Sequence, residues 1–95
     1  IYIETKKGYK LSDINKEFEK TFVNKKFVHI KRPNSLISTN DVINSNFCYI
    51  SVCKTKFKNK FIILSAIDNL IKGGSGQAVQ NMNIRFNLPQ STGLL

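Results

Sequence analysis

Phe61-Ile62-Ile63-Leu64-Ser65-Ala66-Ile67 is the longest near-continuous apolar run of this chain, and Asp68-Asn69-Leu70-Ile71-Lys72 joins it to Gly73-Gly74-Ser75-Gly76. Its seven residues are the length of a strand and far short of the ~20 that cross a membrane as a helix. A strand apolar on both faces must be central and covered from both sides. The glycines then open a helical pattern over about residues 75–87, which Pro89 ends. Strand, glycine turn and helix N-terminus together make a common place to hold an anion or a cofactor.

The other segments agree with a sheet. Ile1 to Lys6 reads as a strand, followed by a turn at Lys7-Gly8. Ser12 is a candidate N-cap, with Asp13 and Glu17 near the positive end of the helix after it. Ile14, Phe18 and Phe22 recur at i, i+4 and i+8, one apolar stripe over about Asp13 to Phe22, and Asn24 can end that helix. Phe27 to Lys31 is a second strand, stopped before Pro33. Ser38 to Ile43 reads as either a short extended segment or a loop. Asn46 to Thr55 is a strand rich in aromatic and β-branched residues, and Phe57-Lys58-Asn59-Lys60 a hairpin connection back into Phe61–Ile67. The predicted class is therefore α+β: a mostly antiparallel sheet with helices packed on it, in one domain without internal repeats or linker.

The second helix is unusual. On a 3.6-residue wheel Ala78, Val79, Met82 and Phe86 share one face, while Gln77, Gln80, Asn83 and Asn87 gather on roughly the opposite one. Helices that face water usually carry Lys and Glu there. A face of neutral amides suits a surface that meets another domain or a polar ligand.

Charge and cysteines narrow the function classes. The net charge is +9, from 15 Lys+Arg against 6 Asp+Glu, and thirteen of the fifteen are lysines spread from Lys6 to Lys72. A site gripping phosphates or bases bidentately would use arginine, and only Arg32 and Arg85 are present. Solvated lysines are the favoured reading, including the alternating Lys54, Lys56, Lys58 and Lys60, which suit a hairpin edge protected from aggregation. Neither a nucleic-acid nor a membrane partner is expected. Cys48 and Cys53 lie an odd number of residues apart in one strand, hence on opposite faces. They read as inert thiols of a reducing compartment, and with one histidine they offer no zinc-ligand spacing. The chain opens on Ile1-Tyr2-Ile3 without an initiator methionine or a visible signal peptide, which suggests a processed chain or a piece of a longer one.

The glycine stretch fails the nucleotide fingerprints. G-x-G-x-x-G would need glycine at Val79, and Lys72 precedes the glycines instead of coming after them as in a phosphate loop. The segment as a whole is more specific. Asp68-Asn69-Leu70-Ile71-Lys72-Gly73-Gly74-Ser75-Gly76-Gln77-Ala78-Val79-Gln80-Asn81-Met82-Asn83, with Leu88-Pro89-Gln90-Ser91-Thr92-Gly93-Leu94 after it, resembles the C-terminus of N-acetyl-gamma-glutamyl-phosphate reductases. That family usually has D-N-L-[VI]-K-G-A-[AS]-G-Q-A-[VI]-Q-N-M-N and L-P-E-T-T-G-L. Here Gly74 stands for the usual alanine, and Gln90 and Ser91 for Glu and Thr. Lys26-Phe27-Val28 resembles the family's P-F-V, and Ser45-Asn46-Phe47-Cys48 its G-S-N-[YF]-C, with Asn44 where glycine is usual. The likeness is dense from about Phe27 to Leu94 and sparser before.

The resemblance implies the C-terminal portion of the sheet domain of an NADPH-dependent oxidoreductase, cytoplasmic or organellar, acting in arginine biosynthesis. In that family a cysteine thiolate displaces phosphate from N-acetyl-gamma-glutamyl phosphate, and hydride from NADPH reduces the thioester to the semialdehyde. The family's catalytic cysteine, its histidine base and its dinucleotide-binding Rossmann domain precede the part matched here. Neither Cys48 nor His29 matches a catalytic position, so the chain is expected to be inactive alone. The implied partners are that N-terminal domain, the acyl phosphate, and further copies in a homo-oligomer.

The resemblance also implies cofactor-side roles. Asn69 would lie near the nicotinamide carboxamide, and Gly73 and Gly74 would let backbone approach the cofactor. Gln77 would face the cofactor or active site, and Lys72 would meet a phosphate or else form a structural salt bridge. Asp68, read from the residues alone, would only cap the turn. Two alternatives stand beside this reading: a fragment of aspartate-semialdehyde dehydrogenase, whose helix lacks the Gln-Ala-Val-Gln-Asn-Met-Asn run, and a freestanding basic α+β module for nucleic acid.

Overall fold

A computed structural model describes residues 1–95. Four strands, β1 (Tyr2–Glu4), β2 (Val28–Ile30), β3 (Cys48–Lys54) and β4 (Lys60–Ile67), form one sheet in the order β1-β4-β3-β2. The hairpin β3–β4 is antiparallel along its length, from Cys48 opposite Ile67 to Lys54 opposite Phe61. Thr55 closes its end, its Oγ1 accepting from the Phe57 N–H (3.1 Å) and donating to the Lys60 carbonyl (2.7 Å). β1 is antiparallel to β4, whereas β2 runs parallel to β3. The sheet is thus α+β and mostly antiparallel, as the residues predict, with β4 interior to it, but the expected burial of the whole run is not found: Phe61 alone is buried, and Ser65 and Ile67 are exposed where β1 no longer accompanies the strand.

Alternation along the strands defines two faces. Val28, Ile30, Ile50, Val52, Phe61 and Ile63 lie on one, and His29, Tyr49, Ser51, Cys53, Ile62 and Leu64 on the other. Helix α1 (Leu11–Phe22) covers the first face: Leu11 shares a hollow with Lys54 and Phe61, and Phe22 shares one with Val28 and Ile30. Its inward stripe is Leu11, Ile14, Asn15, Phe18 and Phe22, with Phe18 and Phe22 stacked at 6.2 Å. Ser12 is not the N-cap. The cap is Lys10, in extended conformation, whose N–H donates to the Asp13 carboxylate at 2.8 Å, so Ser12 falls inside the first turn.

On the second face, the segment after β2 crosses at Ser51, whose hydroxyl donates to the Ser35 carbonyl (2.7 Å). Cys48 and Cys53 are free and on opposite faces. Ser38 to Ile43 is a loop with a single 3₁₀ turn, Thr39–Asp41, tied by the Ser38 N–H to the Asp41 carboxylate at 2.7 Å and burying Val42 completely.

The core is small. Phe27, Val42, Val52 and Phe61 are the buried hydrophobic residues, while fourteen large apolar side chains are exposed. The radius of gyration is 15.1 Å, against about 12 Å for a compact domain of this length. The shape is a slab of 45 × 26 × 17 Å: a sheet with one helical layer, a helix at its end, and much apolar surface left for something else to cover. No helix is long and apolar enough to cross a membrane.

Candidate functional site

β4 ends at Ile67, and Asp68 organises the turn beyond it. One carboxylate oxygen accepts the N–H groups of Leu70 (2.9 Å) and Ile71 (3.3 Å), and the other accepts the N–H of Asn44 (2.8 Å) across the sheet end. Asp68 therefore caps the turn and pins it to the loop before β3. These backbone donors, that of Asn44 first, hold its carboxyl below the usual carboxylate range. Asn44 sits at φ 59°, a left-handed position that glycine fills freely and asparagine tolerates.

A wide helical turn of π type, Ile71–Ser75, comes next and leads into α2 (Gly76–Arg85). Asn69 is exposed at its start, and its Oδ1 lies against Gly73, where a Cβ would point. A Cβ at Gly73 would meet that carboxamide and the exposed Asn69 side chain would have to shift, so glycine here leaves the space in which it lies. Gly74 breaks the helical run (φ −146°, ψ −109°), and the nearest atom to a Cβ there is the Asn69 carbonyl oxygen at 3.5 Å, ordinary contact. Alanine would fit at Gly74. Gly76 is different again. It is buried, and a Cβ on it would meet Asn46 Oδ1 and, at 2.7 Å, the Ile71 carbonyl oxygen.

Lys72 turns inward. Its ammonium donates to Gln80 Oε1 (2.8 Å) and lies 5.5 Å from the centre of the Phe27 ring. Burial lowers its pKa, opposed by the nearby Cys48; burial raises the Cys48 pKa, opposed by Lys72. Both shifts favour neutral forms, and Cys48 is a protonated thiol at neutral pH. Gln80 is the hub. Its Oε1 also accepts from Asn46 Nδ2 (2.9 Å), and its Nε2 donates to Gln90 Oε1 (3.0 Å). Lysine can only donate, so Gln80 must turn its oxygen to Lys72. Asn46 then presents its nitrogen to Gln80, which leaves Asn46 Oδ1 buried against Gly76 without a donor. Asn83, fully buried, donates to the carbonyls of Gln90 and Thr92, both at 2.9 Å, and so folds the tail back on α2.

The two faces of α2 are therefore reversed relative to the amphipathic reading. Gln80 and Asn83 point into the chain, while Met82, Ile84 and Phe86 are 47%, 51% and 68% exposed. The amide face meets the chain's own Asn46, Lys72 and tail. The reason is the network: those amides bond to Asn46, Lys72 and the tail as apolar side chains could not, even though the Oδ1 atoms of Asn46 and Asn83 stay without a donor. Gln77 stays outside, bonded to Asn81 Oδ1 at 2.9 Å. Among the residues that sequence points to, Asn69, Gly73 and Gly74 cluster at the turn, Lys72 lies beneath it, and Gln77 lies on the first turn of α2. Sequence reasoning places Gln80 on the amide face of α2 and misses Asn44, Asn46 and Gln90 as site residues. Their only signal is the motif match, because the chain is asparagine-rich throughout.

The profile of the semialdehyde dehydrogenase dimerisation domain matches residues 1–69. Over 86 residues the chain is 49% identical to an N-acetyl-gamma-glutamyl-phosphate reductase of Vesicomyosocius okutanii, covering 88% of the chain and 25% of that protein. The reductase of Thermoanaerobacter pseudethanolicus is 40% identical over 94 residues, covering 99% of the chain and 27% of that protein. A probable chloroplastic reductase of Arabidopsis thaliana is 38% identical over 95 residues, covering all of the chain and 24% of that protein. The chain spans about a quarter of the length of these curated relatives, corresponding to their C-terminal part. A sheet leading into the Asp68–Gly76 turn, together with these matches, makes the chain a member of the semialdehyde dehydrogenase dimerisation-domain family, similar to the C-terminal part of N-acetyl-gamma-glutamyl-phosphate reductases.

Proposed function

We propose that this chain is the C-terminal part of an NADPH-dependent reductase that converts N-acetyl-gamma-glutamyl phosphate to its semialdehyde, and that its share of the work is to complete the cofactor site. The observation that carries this reading is the turn: Asn69 is exposed, its carboxamide is seated on Gly73, and the turn's own donors are taken by Asp68. A carboxamide held this way can both donate to and accept from a second carboxamide, the chemistry a nicotinamide presents. NADPH would supply the hydride. Asn69 orients the ring, Gly73 leaves the space in which Asn69 lies, Gly74 leaves room above the turn, and Gln77 borders the site from α2. Lys72 supports it from below through Gln80 and Phe27.

The attacking thiol, the base and the dinucleotide-binding domain lie on sequence outside these residues, so the chain alone turns over neither acyl phosphate nor semialdehyde. The exposed stripe of Met82 and Phe86 is the surface that the dinucleotide-binding domain covers, and the face of the sheet away from α1 is where copies associate.

The test is Asn69→Ala in the full-length protein. A rise in KM for NADPH or a fall in kcat, on the order of tenfold for one lost oriented hydrogen bond, is expected, and Gly73→Ala should move the same parameter. Unchanged kinetics for Asn69→Ala removes it from the site.

A further inference from the structure

β4 is paired unequally on its two sides. β3 accompanies it from Phe61 to Ile67, but β1 accompanies it only over Lys60–Ile62, with one further reciprocal pair in which the Ile1 nitrogen donates to the Ile63 carbonyl (2.9 Å) and the Ile63 N–H to the Ile1 carbonyl (2.8 Å). Hydrogen-bonded pairs recur at every second residue of an antiparallel ladder. The next two on this edge are therefore Ser65 and Ile67, whose N–H and C=O groups point out of the sheet with no strand opposite. Both residues are exposed, Ile67 to 37%. An open edge of this kind is a template for another strand, and Leu64-Ser65-Ala66-Ile67 carries none of the charges, prolines or bulges that usually protect one.

The direction of β1 says what fits. At Ile1 its backbone is already in the β4 register, so the same strand continued upstream passes Leu64, Ser65, Ala66 and Ile67 with no turn. We propose that the residues just before Ile1 in the longer protein extend β1 along β4, the second residue before Ile1 pairing with Ser65 and the fourth with Ile67. This rests on the reading of the chain as part of a longer protein, whose relatives are about four times its length, and not on the cofactor assignment. Its consequence reaches the site, because Ile67 directly precedes Asp68 and Asn69. With β4 held from both sides to its last residue, the upstream chain positions the base of the turn.

Hydrogen exchange with residue resolution on the full-length protein tests it. The Ser65 and Ile67 amides should exchange within about tenfold of the Ile63 amide, at every protein concentration. Ser65→Pro should lower the melting temperature, since proline is tolerated only where a strand N–H faces solvent, while Ser65→Thr should not. Exchange at Ser65 and Ile67 as fast as in exposed loops overturns the proposal. So does protection that disappears on dilution, which assigns the edge to a second copy. If the gene holds no coding sequence upstream of Ile1, it is the longer-protein reading that fails instead.

Discussion

The sheet and α2 are held by opposite means. β3 and β4 pair along seven residues and bury Val52 and Phe61 beneath α1. This is ordinary apolar packing, in which alternation decides what points inward. α2 is anchored instead by amides, Gln80 to Asn46, Lys72 and Gln90, and Asn83 to the tail, while its apolar side chains face out. The difference teaches that the sheet core beneath α1 is covered within this chain and the apolar stripe of α2 is not. Hydrogen bonds fix where the helix lies, and its unfilled apolar stripe is left to meet something else.

The comparison can be broken at its strongest point first. Phe61→Ala empties a site only 4% exposed and should destabilise the fold by about 3–5 kcal/mol in a denaturant titration. A loss below about 1 kcal/mol would mean the sheet core is not the main support. Gln80→Ala is next. It strands the Asn46 donor and the Lys72 ammonium, at a cost of about 1–3 kcal/mol. Thermal melts of Gln80→Ala that match the unsubstituted protein would show that the amide network does not anchor α2.

Acid should act on the joint between the two regions. The carboxyl of Asp68 titrates lower in the folded chain than in the unfolded one, so its contribution is fully present above the ordinary carboxylate pKa of about 3.9 and is lost as pH falls through its lower folded value. Exchange of the Leu70 and Ile71 amides should accelerate relative to the sheet in that acid window and nowhere between about pH 5 and 8. Asp68→Asn should abolish that step, and its persistence would assign it to another carboxyl. The smallest effect sharpens the contrast. Met82→Ser with Phe86→Ser should shift the chain's own stability in urea by no more than about 0.5 kcal/mol, because both side chains are largely exposed, Met82 to 47% and Phe86 to 68%. In the longer protein the same pair should cost more, and equal costs in both would leave the stripe without a partner.

Much of the sheet is legible in the sequence because it obeys short-range rules. The run Phe61–Ile67, the lysine-flanked hairpin and the Ile14, Phe18, Phe22 stripe each state their own element, though not their degree of burial, since Ser65 and Ile67 end exposed. Two features escape local reading. Ser12 loses the cap to Lys10 because Asp13 reaches back to the Lys10 N–H, and the parallel pairing of β2 with β3 depends on a crossover that no window of sequence contains.

The candidate site is legible as a motif and not as a geometry. Asn69 and Gly73 belong to one motif, but that one is the seat of the other is visible only in an Oδ1 placed against a glycine. On α2, the wheel sets Met82 and Phe86 opposite the amides without saying which side is buried. By itself the sequence determined the strands, the α1 stripe and the family, because periodicity and motif are properties of neighbouring residues. Only the tertiary structure decided which face of α2 is inside. That depends on whether Asn46, Lys72 and Gln90, 34, 8 and 10 residues from Gln80, converge on one amide. Bringing distant polar groups together is a condition on the whole fold, which no periodicity along α2 contains.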